Sequence, residues 1–284
     1  MTDKIIALVD GSAYAESVCE HAAWVARFTA RPVELLHVLG RREVPEKTDL
    51  SGAIRLGARS ALLAELAELD EARAKLVAQK GRAILDDARA IVMHAGATQV
   101  SARLLQGDIV ETLAAEETGA GLIVIGKRGE AADFARGHLG SNLERIVRAC
   151  HRPVLVAARA FRPIGKVLVA HDGGASAQKA VAHLAQDALF ADLSIELVTI
   201  GAETPETRAQ LEAARKVLAD AGRATTARIL PGQPETALGD LVEAEGFHMV
   251  VMGAYGHSRI RSLIIGSTTT AMIRSCKVPV LLMR

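Results

Sequence analysis

The sequence predicts an α/β protein made of two tandem five-stranded parallel-sheet domains, Rossmann-like in type and paired through their last strands. Three observations predict it. Short β-branched apolar runs alternate with longer amphipathic segments. The same order of elements occurs twice. The apolar runs break into glycine-bearing loops at corresponding places. Strands that alternate with helices need crossover connections, which give a parallel sheet covered by helices on both faces.

Taken in order, Lys4–Val9 is an apolar run stopped by Asp10-Gly11-Ser12, a buried strand entering a loop. Ser17–Thr29 keeps Val18, Ala22, Val25 and Ala26 on one helical face, and Pro32–Leu39 returns as a strand. Gly40–Ile54 is polar and irregular and reads as a surface loop. Leu56–Ala95 is a long run rich in Ala, Leu, Glu, Lys and Arg, a helix that Gly81 is expected to interrupt or bend. Its charged surface reads as solvated. Gln99–Leu105 is a strand, Ile109–Glu117 a helix and Gly121–Ile125 a strand. The glycine loop Gly126–Gly140, the helix Asn142–Cys150 and the strand Pro153–Ala157 follow.

After a linker, Ala158–Gly165, the order restarts. Lys166–Ala170 runs into His171-Asp172-Gly173-Gly174. Ser176–Phe190 is a helix, Ser194–Ile200 a strand, and Thr207–Ala221 a helix closed by Gly222. Thr225–Leu230, Pro234–Glu245 and His248–Met252 are strand, helix and strand. A second glycine loop, the helix Thr268–Cys276 and the strand Val278–Met283 complete the copy.

The offsets support a repeat. Gly140 to Pro153 is 13 residues, as is Gly266 to Pro279; Ser141 to Cys150 is 9, as is Ser267 to Cys276. Asp10 to Gly126 is 116 residues but Asp172 to Gly253 only 81, so the first copy carries 35 more, in Gly40–Ala95. The expected domains are 1–158 and 164–284. Each ends on a nearly all-apolar strand, and an exposed apolar edge invites pairing, so the two final strands are expected to meet.

Composition excludes several functions. The net charge is +1 and aromatic content 3%, which leaves neither a pull toward nucleic acid nor a base-stacking platform. No apolar run reaches membrane-spanning length. The start, MTDKIIALVDGS, turns polar too quickly for a signal peptide. Cys19, Cys150 and Cys276 form no CxxC pair and suit a reducing cytoplasm. Cys150 and Cys276 read as buried small hydrophobes, and His151 beside Cys150 is not a metal site.

The stretch with chemistry is Val250–Ser275. A strand breaks at Gly253, passes Gly256 and reaches Gly266-Ser267 at the start of a helix. Glycines let main-chain N–H groups approach an anion, and a helix start adds unpaired donors and a positive dipole end. The spacing Gly-x2-Gly-x9-Gly-Ser is neither a Walker A loop nor a dinucleotide turn. Bland readings stand beside this one. Asp10 and Asp172 could cap the next helix through a turn, and Ser267 could be a plain N-cap. Arg259, Arg261 and His257 could be solvated loop groups.

In Val9-Asp10-Gly11-Ser12, Asp172-Gly173, the two glycine loops and the final Pro-Val-Leu strands, the chain resembles the universal stress protein family in its tandem form. The resemblance implies five-stranded α/β domains, pairing through the last strand, ATP as ligand with Mg2+ an optional companion, and a role in stress survival. It implies that Asp172 holds the adenosine part and that adenine lies near Thr199. Gly253 and Gly256 would admit the phosphates, and Gly266, Ser267 and Thr268 would meet phosphate oxygens. Asp10, Gly126, Gly129, Gly140 and Ser141 are the weaker first-copy counterparts. Ten residues, not nine, separate Gly129 from Gly140, the loop carries Glu130 and Asp133, and Ser-Asn-Leu-Glu at 141–144 reads as a capping box.

The function expected is an ATP-binding regulator that partners adenine nucleotide, with the domains paired inside one chain and a homodimer left open. The sequence offers no general base and no dedicated Mg2+ carboxylate, so hydrolysis would be slow. The alternatives are a scaffold whose loops only cap helices, and an adenylating ATPase, of which Asp172-Gly173-Gly174-Ala175-Ser176 is a distant echo.

Overall fold

The computed structural model describes residues 3–40, 57–130, 141–254 and 266–284. The first half contributes strands β1 (Lys4–Leu8), β2 (Val33–Leu39), β3 (Val100–Gln106), β4 (Ala120–Gly126) and β5 (Val154–Ala157), with helices α1 (Ala15–Thr29), α2 (Gly57–His94), α3 (Ile109–Glu116) and α4 (Ser141–Ala149). The second contributes β6 (Lys166–Ala170), β7 (Ser194–Ile200), β8 (Ala224–Leu230), β9 (Met249–Gly253) and β10 (Val280–Met283), with α5 (Ala175–Gln186), α6 (Pro205–Asp220), α7 (Pro234–Ala244) and α8 (Ser267–Ser275).

All ten strands form one sheet, in the order β3-β2-β1-β4-β5-β10-β9-β6-β7-β8. Every pairing is parallel except the central one, where β5 and β10 run antiparallel with Leu155 opposite Leu281. The final strands therefore meet, as their apolar sequences require. Each is buried along its whole length.

The core follows from this seam. On one face α1, α2, α5 and α6 cover the sheet; on the other α3, α4, α7 and α8 do. Both apolar clusters contain residues of both halves, so the core runs unbroken across the seam. Cations also cross it. Lys127 Nζ donates to the carbonyl of Cys276, just past α8. Arg284 Nη1 donates to the carbonyls of Arg148, Ala149 and Cys150 at 2.8, 3.2 and 3.0 Å, at the end of α4. Each half thus supplies a positive charge to the carbonyl end of a helix in the other.

Three expectations need correction. α2 runs unbroken through Gly81. A Cβ there would lie 2.7 Å from Leu104 Cδ1 and 3.0 Å from His37 Cδ2, so the glycine permits close packing on the sheet and does not break the helix. α5 ends at Gln186, short of Phe190, because Asp187 accepts from Leu189 N at 3.0 Å and opens a 3-10 turn, Ala188–Phe190. α6 begins at Pro205, two residues early, because Thr204 caps it by accepting from Thr207 N at 3.2 Å. α2 has 38 residues against 16 in α6, which places much of the first half's excess. The rest of that excess, 41–56, lies outside the described residues.

Candidate functional site

In each half the chain order reverses between neighbouring strands, β1 and β4 or β6 and β9. A crevice opens beyond the carboxyl ends of such strands. In the second half its glycine loop is tied down at both ends. Ala254 N donates to Met283 O at 2.7 Å, Gly266 N to Ala254 O at 3.3 Å, and Thr269 Oγ1 to Gly253 O at 3.0 Å. These bonds gather Gly253, Gly266, Ser267 and Thr268 in one corner, while Asp172 and Thr199 stand at the ends of the next two strands. Gly256 and the loop's Arg259 and Arg261 lie outside the described residues.

The acidic turn is built locally. Asp172 Oδ1 accepts from Gly174 N at 2.8 Å. Gly173 has φ +76, a left-handed conformation that a side chain would strain, and a Cβ on it would displace the end of the Gln210 side chain, 2.4 Å away. Thr199 is buried and donates to the carbonyl of His171 at 2.7 Å. Its hydroxyl thereby fixes the strand end that presents Asp172.

Ser267 departs from the expected N-cap. Gly266 occupies the cap position, and Ser267 is the first helical residue. Its hydroxyl donates to Glu235 Oε1 at 3.2 Å, and that of Thr268 donates to the same oxygen at 3.0 Å. The Glu235 main-chain N–H, and then these two hydroxyls, hold its carboxyl below the usual range. Sequence reasoning missed Glu235, which lies at the start of α7, 32 residues before Ser267. A Pro-Glu helix start was the available signal, but only packing shows which helix it faces.

The first half has the same frame with different contents. His37 stands at the offset from Asp10 that Thr199 has from Asp172, and its protonated Nδ1 donates to Val9 O at 2.8 Å. That match was readable from the repeat and was missed. Asp10 is engaged twice: Oδ1 accepts from Ser12 N at 3.0 Å and Oδ2 from Glu130 N at 3.1 Å. The Glu130 carboxylate leans over Gly11, where a Cβ would lie 3.0 Å from Oε2, and pairs with Lys80 of α2. A Cβ on Gly129 would lie 2.9 Å from Asp10 Oδ2, and one on Gly126 2.7 Å from Tyr14 Cβ. Here contacts within the protein already account for the glycines.

Asp108 caps α3, accepting from Val110 N at 2.9 Å and Glu111 N at 3.3 Å. It also binds Arg145 at 2.6 Å, and that arginine foremost holds its carboxyl below the usual range. These groups border a cavity of about 610 Å³ lined by Asp10, His37, Asp108, Lys127, Glu130 and Arg145, among others. Burial lowers the pKa of the Lys127 ammonium, which turns away toward the second half. Ser141 begins α4; its side chain, Asp133 and Gly140 lie outside the described residues.

The cysteines are free and buried. Burial pushes the thiols of Cys19 and Cys150 up to about 12, which makes them poor nucleophiles. Among the described residues no cluster of His, Cys, Asp or Glu is arranged to hold a metal ion, and no helix is long and apolar enough to cross a membrane.

Comparison with known proteins gives a consistent result. The universal stress protein family pattern matches residues 1–158 and 198–284. The universal stress protein Slr1230 of Synechocystis sp. is 39% identical over 285 residues, which covers 99% of each chain. Rv1996 of Mycobacterium tuberculosis is 28% identical over 241 residues, 74% of each. A universal stress protein structure from Archaeoglobus fulgidus superposes with a TM-score of 0.73 over 100% of this chain and 99% of that one; at 18% identity it speaks for the fold alone. By sequence and by fold, this chain belongs to the universal stress protein family.

Proposed function

We propose that this protein is a cytoplasmic ATP-binding regulator of stress response, with its nucleotide site in the second of two domains, 1–158 and 164–284. The observation that carries the reading is the corner where Gly253, Gly266, Ser267 and Thr268 converge beside Asp172. The residues fit a triphosphate in kind. The first N–H groups of α8 have no acceptor within the helix, and its dipole favours an anion. Asp172 would hold the ribose, with adenine toward the end of β7 near Thr199. Gly253 and Gly256 would admit the phosphates, and Gly266, Ser267 and Thr268 would take their oxygens.

Glu235 brings a negative charge to the corner assigned to phosphate. A carboxylate beside phosphate is unfavourable unless a cation shares the charge, so Mg2+ carried with the nucleotide suits this corner. In the first domain Asp10 is held by Ser12 and Glu130, and Glu130 brings negative charge to the glycine loop. That domain is read as lacking triphosphate affinity. Among the described residues no group in either crevice is placed as a general base, which fits a regulator better than a fast hydrolase.

The test is native mass spectrometry of freshly purified protein, followed by equilibrium dialysis. The expected result is one adenine nucleotide per chain, lost in Gly253→Val. Two equal sites, or a ligand retained by that variant, would overturn the assignment. One observation favours a second reading, a scaffold without nucleotide. The described site hydroxyls already have protein acceptors: Thr199 with His171, Ser267 and Thr268 with Glu235, and Thr269 with Gly253. That reading predicts no retained ligand and no binding by dialysis.

A further inference from the structure

We propose that the exposed part of α2 pairs with the same part of a second copy of this chain, as an antiparallel two-helix coiled coil. α2 has two regimes. From Gly81 onward it packs on the sheet, with Leu85, Ala88 and Val92 only 4%, 3% and 0% exposed. From Ala64 to Arg73 every residue is exposed. A helical stretch of this length without tertiary support is marginal in water.

The exposed stretch carries an apolar seam. Leu66, Leu69 and Leu76 are 48%, 61% and 66% exposed. With Arg73 they follow spacings of three, four and three residues, which are successive a, d, a and d positions of a heptad pattern. Six large hydrophobic residues are exposed among the described residues, and three belong to this seam. Leucines so arranged and left in water mark a binding surface. The equivalent helix of the second half, α6, has only 16 residues and no such extension.

Charge selects the occupant and its direction. Glu65, Glu68, Asp70 and Glu71 crowd the amino-terminal side of the seam's centre, and Arg73 and Lys75 follow on the other side. A parallel pair would stack acid on acid. An antiparallel pair centred near residue 71 lays the acidic block of one copy along the basic block of the other. It sets Leu66 against the other copy's Leu76, and Leu69 against the aliphatic stem of its Arg73. Asp70 then stands beside that arginine's guanidinium, while the Glu71–Lys75 pair, 2.7 Å apart, stays within each helix. The surface is thus complementary to itself about a two-fold axis, which is what an isologous dimer requires.

Sedimentation velocity on the full chain over a wide concentration range tests the proposal. The wild type is expected to dimerise, and the triple variant L66E/L69E/L76E to weaken the dimer at least about 100-fold with an unchanged melting profile. A second set reads direction. Oxidised L66C/L76C should give a covalent dimer on a non-reducing gel, whereas L66C or L76C alone should not. The native cysteines are buried and do not compete. A wild type that stays monomeric, a dimer indifferent to the triple variant, or single cysteines that link as readily as the pair would each overturn the idea. If the triple variant misfolds, the cysteine set decides alone.

Discussion

Two halves with one topology have spent the same positions differently. In the second half Asp172 closes its own turn by accepting from Gly174, Thr269 ties the start of α8 to Gly253, and Thr268 ties it to Glu235 of α7. In the first half the loop's Glu130 donates its N–H to Asp10 and sends its carboxylate to Lys80, on the helix that only this half has lengthened. The crevice there remains, but charged side chains border it. A repeat inside one chain is its own control: whatever differs between the copies is not demanded by the fold.

The sharpest way to break this comparison is a matched pair of substitutions. Gly253→Val should cost nucleotide binding on the order of 1,000-fold, because its branches enter the space assigned to phosphate. Gly126→Val should leave the nucleotide count alone and destabilise the fold by about 1–3 kcal/mol, since a Cβ there already meets Tyr14 at 2.7 Å. Dialysis and a denaturant melt read the two effects. Equal losses of binding in both variants would mean that the halves are alike.

A second pair concerns acid. His21 and His183 occupy equal offsets from Asp10 and Asp172. His21 is buried against Phe161, contacts Ser17 O at 2.6 Å, and is pushed down to about 4, chiefly by desolvation. His183 is also lowered by desolvation, but Asp187 at 3.6 Å opposes the shift. A depressed histidine stays neutral in the fold while the unfolded chain takes up its proton near 6.5. Stability is therefore intact above that pH and falls between 6.5 and about 4, by roughly 3 kcal/mol for His21. Urea melts across this window should show His21→Gln flattening the acid limb more than His183→Gln does.

The caps across the seam come next. Lys127→Met and Arg284→Ala should each cost about 1 kcal/mol, or about 2–4 °C in melting temperature. Smallest is Glu235→Gln, which should tighten binding of Mg2+-free ATP about five-fold and narrow the difference Mg2+ makes. Isothermal titration with and without the metal checks it. No change would remove Glu235 from the phosphate side of the crevice.

Much of the frame was legible in the chain. Lys166–Ala170 and Ser194–Ile200 have the predicted bounds, because β-branched runs ending at turn residues leave little freedom. The meeting of β5 and β10 followed from two apolar edges. What stayed hidden depends on how helices and strands lie side by side. Glu235 reaches Ser267, Lys80 reaches Glu130, and Lys127 reaches Cys276 across 32, 50 and 149 residues, with no local pattern to announce them. A repeated ion cluster was equally invisible. Lys4, Glu34, Arg103 and Glu116 in the first half recur as Lys166, Glu196, Arg228 and Glu245 in the second, and only strand register brings each set together.

The order of strands decides how the molecule can meet its own kind. The two greasiest strands lie side by side in the middle, where no visiting chain can hydrogen-bond to them. The outermost strands, β3 and β8, carry Ser101 and Arg103, or Thr225, Thr226 and Arg228, and make poor templates for extension. With β5 and β10 each paired on both sides within the chain, neither apolar strand is left as an open edge for a second molecule.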